Sequence, residues 1–311
     1  MVDPELLQAL EFFPEMRFGE QAISSIRREL EEKFAAIPVP HDLDVLVEDV
    51  ELGGGEMWPG FRVRVYRPNA RERTVSAVLH LHGGGYVLGS LTLGDAENRR
   101  LAAELRCVIV AVDYPLAPEH PYPQALEASY AALRWTHENA RRLGINGRIG
   151  LKGESAGGGL AAALALLARD RGEIEVAFQH LIQPMIDDRT GRGTDGHPFT
   201  GEFVWSRRHN AFGWSALLGS THGGADAPEH AAPARAKDLA KLPRTYIAVG
   251  ALDLFFEEDL EYARRLTRAG VTVELHVYPG AYHGFDLLLN TAIAQQARRD
   301  SVDALRTALQ S

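Results

Sequence analysis

Two hydrophobic periods alternate along the chain, and their order predicts its architecture. Near the N-terminus Leu6, Leu7, Leu10 and Phe13 recur at helical spacing, and a second amphipathic run covers Gln21 to Ala36 before Pro38 and Pro40 end it. Two strands follow, Leu43–Val50 and Phe61–Tyr66. The second sets Phe61, Val63 and Val65 against Arg62, Arg64 and Tyr66, the alternation of a half-exposed antiparallel strand. From Val75 the pattern becomes short apolar runs separated by helical segments, as in a mostly parallel sheet covered on both faces. The runs are Val75–Leu81, Val108–Asp113, Ile149–Gly153, Ala177–Gln183, Thr245–Gly250 and Val271–Tyr278. Helices are predicted near Asp95–Leu105, Gln124–Leu143, Ala156–Arg171, Glu257–Ala269 and Ala292–Leu309. With the two early strands, the sheet is predicted to have about eight strands, within the ordinary range.

One interval breaks this rhythm. About 60 residues separate Gln183 from Thr245, too many for an ordinary connection, and they carry Phe199, Phe203, Trp205, Phe212 and Trp214. The expected organisation is therefore a pair of N-terminal cap helices over 1–42, a catalytic core over 43–187 and 237–311, and an inserted cap segment over 188–236 that closes over a site. A plain solvent-facing insertion is the alternative.

Composition narrows the partners more than the fold. A 311-residue chain that is 45% hydrophobic suits one large domain. Its net charge of −9 argues against nucleic acid and anionic membranes, which reward clustered lysine and arginine. The longest apolar run, Leu160–Ala168, falls far short of the roughly 20 residues a membrane span needs. The first residues, with Asp3, Glu5, Glu11 and Glu15, show no signal-peptide pattern, and the single Cys107 reads as a buried strand residue. A cytoplasmic address is expected.

The chemistry centres on Gly153-Glu154-Ser155-Ala156-Gly157, which joins the strand ending at Gly153 to the helix from Ala156. A serine on a sharp strand-to-helix turn stands clear of the sheet, and flanking glycines remove the clashes such a turn creates. A serine hydroxyl needs a base and a group that orients the base. His283 follows the last strand and Asp253 is the first acid past the preceding one, so serine, acid and histidine come in α/β-hydrolase order. His276 falls inside a strand and is disfavoured. Glu257, Glu258 and Asp259 are read as acids favoured by the dipole of the helix they open. The loop His82-Gly83-Gly84-Gly85 can bring backbone N–H groups to an oxyanion, with the Ala156 N–H beside the nucleophile completing the hole. Tyr86, Phe203, Trp205, Phe255 and Phe285 are candidates to line a pocket, although aromatics of this kind are as often plain core. No histidine–carboxylate cluster has metal-ligand spacing.

Four blocks resemble the bacterial hormone-sensitive-lipase-like esterases: His82-Gly83-Gly84-Gly85-Tyr86, Asp113-Tyr114-Pro115-Leu116-Ala117-Pro118-Glu119-His120, Gly153-Glu154-Ser155-Ala156-Gly157-Gly158 and Tyr282-His283-Gly284-Phe285. The resemblance implies an α/β-hydrolase core with a helical cap, no cofactor, and hydrolysis of small carboxylic esters with short to medium acyl chains. It places the triad at Ser155, Asp253 and His283, the oxyanion donors at Gly84, Gly85 and Ala156, and Asp113 as a brace for the glycine loop. A homodimer rests on the resemblance alone. The chain departs from the pattern at Leu254, where many members have proline, at Phe256 and Glu257, and at Glu154, where aspartate is more usual. These departures bear on the acid loop and the pocket. Fold and triad leave open an amidase or deacetylase, and a capped pocket can also serve a non-catalytic receptor.

Overall fold

The computed structural model describes residues 1–13, 18–19, 22–40, 42–69, 74–192 and 197–310. Among these residues, eight strands form one sheet in the order β1-β2-β4-β3-β5-β6-β7-β8. They are β1 Val45–Leu52, β2 Phe61–Pro68, β3 Val75–Leu81, β4 Val108–Asp113, β5 Ile145–Glu154, β6 Phe178–Ile182, β7 Arg244–Gly250 and β8 Val273–Tyr278. β1 and β2 run antiparallel, β2 meets β4 antiparallel, and every pairing from β4 to β8 is parallel. The helices are α1 Pro4–Ala9, α2 Ile23–Ala35, α3 Asp95–Leu105, α4 Gln124–Glu138, α5 Ala140–Leu143, α6 Ala156–Arg171, α7 Arg207–Leu218, α8 Phe256–Arg268 and α9 Ala292–Gln310. Gln21, the predicted start of the second N-terminal run, lies outside the described residues.

The central parallel strands β3 and β4 are largely apolar on both faces because both are covered. Leu79, Leu81, Val110 and Val112 pack into the layer that contains α4 and α6, while Val78, Ile109 and Ala111 pack with Leu101 of α3 and Leu305 of α9. Cys107 is buried in this second layer, and burial pushes its thiol up to about 12, so it is core.

Two expectations change. Tyr66 was expected on an exposed face, but it is fully buried under α3, where its hydroxyl donates to Asp95 at 2.7 Å. The polar face of β2 is thus a covered network in which Arg64 also reaches Asp49 and Asp95. The single helix expected over 124–143 is broken at Asn139, whose side chain donates to the Trp135 carbonyl and so competes with the helical ladder. The interval between β6 and β7 carries one long helix, α7, entered through a capping box of Ser206 and His209. Phe212 of α7 stacks on Phe18 of the N-terminal segment with ring centroids 5.3 Å apart, which joins the two segments that flank the core on this side.

Candidate active site

β5 delivers Ser155 at its C-terminal end, with φ 53° and ψ −121°, as the residue before α6. That positive φ is strained for a serine, and hydrogen bonds hold it. The Ser155 N–H donates to the Ile182 carbonyl at 2.8 Å, and its own carbonyl accepts from Gly159 and Met185. The turn presses α6 against β3 so closely that a Cβ on Gly157 would lie 2.0 Å from the Leu81 carbonyl oxygen. Only glycine fits there. Because the Ser155 amide is occupied, the first helical N–H next to the Ser155 hydroxyl is that of Ala156.

The three candidate triad side chains come together. Ser155 Oγ lies 3.0 Å from His283 Nε2, and His283 Nδ1 lies 2.8 Å from Asp253 Oδ2. Asp253 is fully buried, and its other oxygen accepts from the Phe255 N–H at 3.0 Å. The bond to Asp253 places the imidazole proton on Nδ1 and leaves Nε2 to accept from Ser155. Phe255 meets the His283 ring edge to face at 5.2 Å and is itself fully buried. His276 stays on β8, paired with Glu274 and away from the serine.

The glycine loop lies over the elbow. Gly84 and Gly85 have φ of 127° and 61°, and a Cβ on Gly85 would lie 2.2 Å from the Trp205 ring. Those dihedrals turn the backbone into a tight curl beside Ser155, and a side chain at Gly85 would displace the tryptophan. Tyr114 braces the start of the loop by donating to the His82 carbonyl at 2.7 Å and stacking on the His82 ring. Arg27 of α2 braces its far side through the Val87 and Ala117 carbonyls and a two-pronged pair with Glu119. Asp113, expected to do this work, instead pairs with Arg62 at 3.1 Å. It ends β4 beside β2 and so reaches the neighbouring strand.

Among the pocket candidates, Trp205 is buried on Gly85 with its ring 6.2 Å from that of His283. Phe203 is half-buried against Tyr282. Tyr86 is buried with its hydroxyl donating to the Met185 carbonyl and its ring on Trp214. Phe285 is buried against Tyr278, in the core rather than beside the serine. Leu254, one of the departures, is buried and packs against Gly201 of the insertion, while Phe256 sets its ring against His197.

Several supporting roles carried no signal in the sequence. Glu154 accepts from Lys152 and from His80 Nε2, and Asn98 donates to His80 Nδ1 at 2.9 Å. Burial opposes ionisation of Glu154, but His80 and Lys152 outweigh it and hold the carboxyl well below its usual range. The longer side chain at this departure therefore anchors the elbow from behind. Glu258 does not act as a simple first-turn acid. It is buried and accepts from the Ile186 and Asp187 amides, tying α8 to the chain that leaves β6. Asp259 is also fully buried, and neither of its oxygens has a hydrogen-bond partner among the described residues. Only Glu257 sits exposed in the first turn as expected.

Burial, then the neighbouring Glu258 and Asp253, push the Asp259 carboxyl well above its usual range. Between the ordinary carboxylate pKa of about 3.9 and that raised value, the folded chain holds a proton the unfolded chain has lost. Stability contributed by the protonated group is complete at low pH and falls as pH rises. Asp259→Asn is therefore expected to raise Tm by a few degrees at pH 8 and to leave it unchanged near pH 3.5, which a pair of calorimetric scans checks.

A serine at the end of a central parallel strand, a histidine and a buried acid after later strands, and a glycine loop over the elbow define an α/β hydrolase. Comparison with known proteins agrees. A family model described as alpha/beta hydrolase fold matches residues 78–287, and the chain belongs to that family. It is 35% identical to the esterase LipI of Mycobacterium tuberculosis, over 91% of this chain and 88% of the relative. It is 34% identical to the carboxylesterase NlhH of the same organism, over 99% and 96%. Among solved structures, a bacterial heroin esterase superposes with a TM-score of 0.92 at 35% identity, covering 100% of this chain and 98% of that one. Among the described residues, no helix is long and apolar enough to cross a membrane.

Proposed function

We propose that this chain is a serine carboxylesterase that hydrolyses small esters with short to medium acyl chains, with Ser155 as nucleophile, His283 as base and Asp253 as the acid that orients it. The unbroken relay Ser155 Oγ, His283 Nε2, His283 Nδ1, Asp253 Oδ2, with links of 3.0 and 2.8 Å, carries this reading. The names of the two mycobacterial relatives and of the heroin esterase support the choice of ester as substrate.

As Ser155 Oγ attacks the ester carbonyl, its proton passes to His283 Nε2, and Asp253 stabilises the imidazolium without taking the proton. The carbonyl oxygen becomes an oxyanion held by the amides of Gly84, Gly85 and Ala156. A single preorganised donor of this kind is worth about 2.7 to 4 kcal/mol of barrier. Collapse expels the alcohol, which leaves with the proton from His283, and the acyl group stays on Ser155. Water then gives a proton to His283 as it attacks the acyl-serine, and collapse breaks the bond to Ser155 Oγ, which takes that proton back from His283 as the acid is released.

The N-terminal helices and the insertion act as one cap in this reading, supported by the Phe18–Phe212 stack and by the seat of Trp205 on Gly85. Ser155 and His283 are 9% and 8% exposed, so a substrate is enclosed as it reaches them. Trp205 then limits the acyl site. One methylene in an apolar pocket is worth about 1 to 3 kcal/mol, so Trp205→Ala is expected to shift the ratio of kcat/KM for a p-nitrophenyl octanoate over a butyrate by about tenfold or more. An unchanged ratio in a folded variant would make Trp205 structural only. The reading includes a cytoplasmic address, consistent with the single buried thiol, and a homodimer, which rests on the resemblance to the esterase family.

A further inference from the structure

The distance between nucleophile and base is a relation between two loops. Ser155 ends β5, whereas His283 follows β8, and β6 and β7 lie between them in the sheet. Both loops are fixed to the C-terminal end of β6. The Ile182 carbonyl accepts the Ser155 N–H at 2.8 Å, which fixes the elbow. The next residue, Gln183, is buried with φ 48° and donates its own N–H to the Ala248 carbonyl of β7 at 2.7 Å. Its side chain crosses to the histidine loop. Gln183 Oε1 accepts from the Gly284 N–H at 2.7 Å, and Gln183 Nε2 donates to Asp286 Oδ1 at 2.7 Å. The carboxamide thus grips the backbone one residue after His283 and a side chain two residues further on.

We propose that Gln183 is a positioning residue for the hydrolysis, a clamp that holds His283 Nε2 at hydrogen-bond distance from Ser155 Oγ. An amide suits this task because it offers one acceptor and one donor from the same rigid plane. A hydrocarbon side chain would leave the Gly284 amide without its partner and release Asp286. The bond to Asp253 and the Phe255 and Trp205 rings fix the imidazole, and bonds from the Leu252 N–H to the Ala281 carbonyl and from the Phe285 N–H to the Tyr282 carbonyl hold the flanking backbone. Among the hydrogen bonds of the described residues, only those of Gln183 tie this loop to the end of β6. Small displacements of a general base are costly, about 100-fold in rate for 1 Å. The positive φ at Gln183 is a non-glycine outlier held where the surroundings determine it, in keeping with strain kept for a function.

This inference rests on the triad reading under Proposed function, and the experiment separates the two. Pre-steady-state release of p-nitrophenol from a butyrate ester is followed for the unaltered chain, Ser155→Ala, Gln183→Leu and the exchange variant Gln183→Glu with Asp286→Asn. In the exchange variant the carboxylate accepts from the Gly284 amide and from the new Asn side chain, so both clamp bonds are remade with roles reversed and net charge unchanged. Gln183→Leu is expected to lower kcat by about 10- to 100-fold with KM within about twofold and a cooperative melt retained. The exchange variant is expected to recover kcat to within about threefold of the unaltered chain, a rescue that a general packing role does not predict. The clamp is refuted if Gln183→Leu keeps its kcat, or if the exchange variant folds but is no faster than Gln183→Leu. If Gln183→Leu does not fold, the exchange variant alone decides. Failure of the triad reading looks different, since Ser155→Ala would then release p-nitrophenol as fast as the unaltered chain.

Discussion

Ser155→Ala is expected to fold normally and to lower kcat on a short p-nitrophenyl ester by about a million-fold, the scale seen when a triad nucleophile is removed. The expectation follows from geometry as much as from chemistry. The turn at Ser155 is held by backbone hydrogen bonds to Ile182, Gly159 and Met185, none of which uses the side chain, so the elbow keeps its shape without the hydroxyl. The amides proposed to hold the oxyanion also remain. What the variant lacks is the atom that bonds to the acyl carbon, and hydrolysis falls back on whatever water can reach the site. Steady-state turnover with a thermal melt of the same sample measures both halves of the prediction. A folded variant that kept most of its rate would place the nucleophile elsewhere.

Asp253→Asn is expected to lower kcat by about ten-thousand-fold while leaving KM little changed. The structure supplies the reason. One Asp253 oxygen accepts from the Phe255 N–H and the other from His283 Nδ1. An asparagine has one oxygen for these two donors, and the backbone amide of Phe255 cannot become an acceptor. The oxygen therefore turns to Phe255 and the amide N–H₂ faces the imidazole. His283 can accept there only by moving its proton to Nε2, the tautomer that cannot take a proton from Ser155. Steady-state turnover of the variant beside the unaltered chain at about pH 8, above the ordinary histidine pKa, is the measurement. A loss of less than tenfold would mean that Asp253 does not set the tautomer.

The sheet and the residues of the candidate triad were readable in the chain for a shared physical reason. Buried parallel strands need continuous apolar runs, and a nucleophile elbow needs small residues at fixed offsets, so Val108–Asp113 and Gly153–Gly157 announce themselves locally. What stayed hidden depends on contacts across the sheet. Tyr66 reads as the polar side of an alternating strand, and only α3 lying over it shows why it is buried. Glu258 and Asp259 resemble ordinary first-turn acids, because nothing in their own segment shows that α8 turns both inward, with Glu258 on the Ile186 and Asp187 amides. Asp113 sits in the expected block, but the loop is held by its neighbour Tyr114 and by Arg27, distant in sequence from the glycines. Gln183 is one polar residue at the end of an apolar run. Its partners, Gly284 and Asp286, are about a hundred residues further along the chain.

In the proposed mechanism a single serine, Ser155, carries the acyl group. Treating the protein with an alkyl fluorophosphonate, which phosphonylates a base-activated serine, and mapping the product by peptide mass spectrometry tests it most directly. The predicted result is one adduct per chain, on the peptide containing Ser155, formed in step with loss of esterase turnover and absent from Ser155→Ala. Complete loss of turnover with the adduct on another residue, or full turnover with Ser155 fully modified, would contradict it.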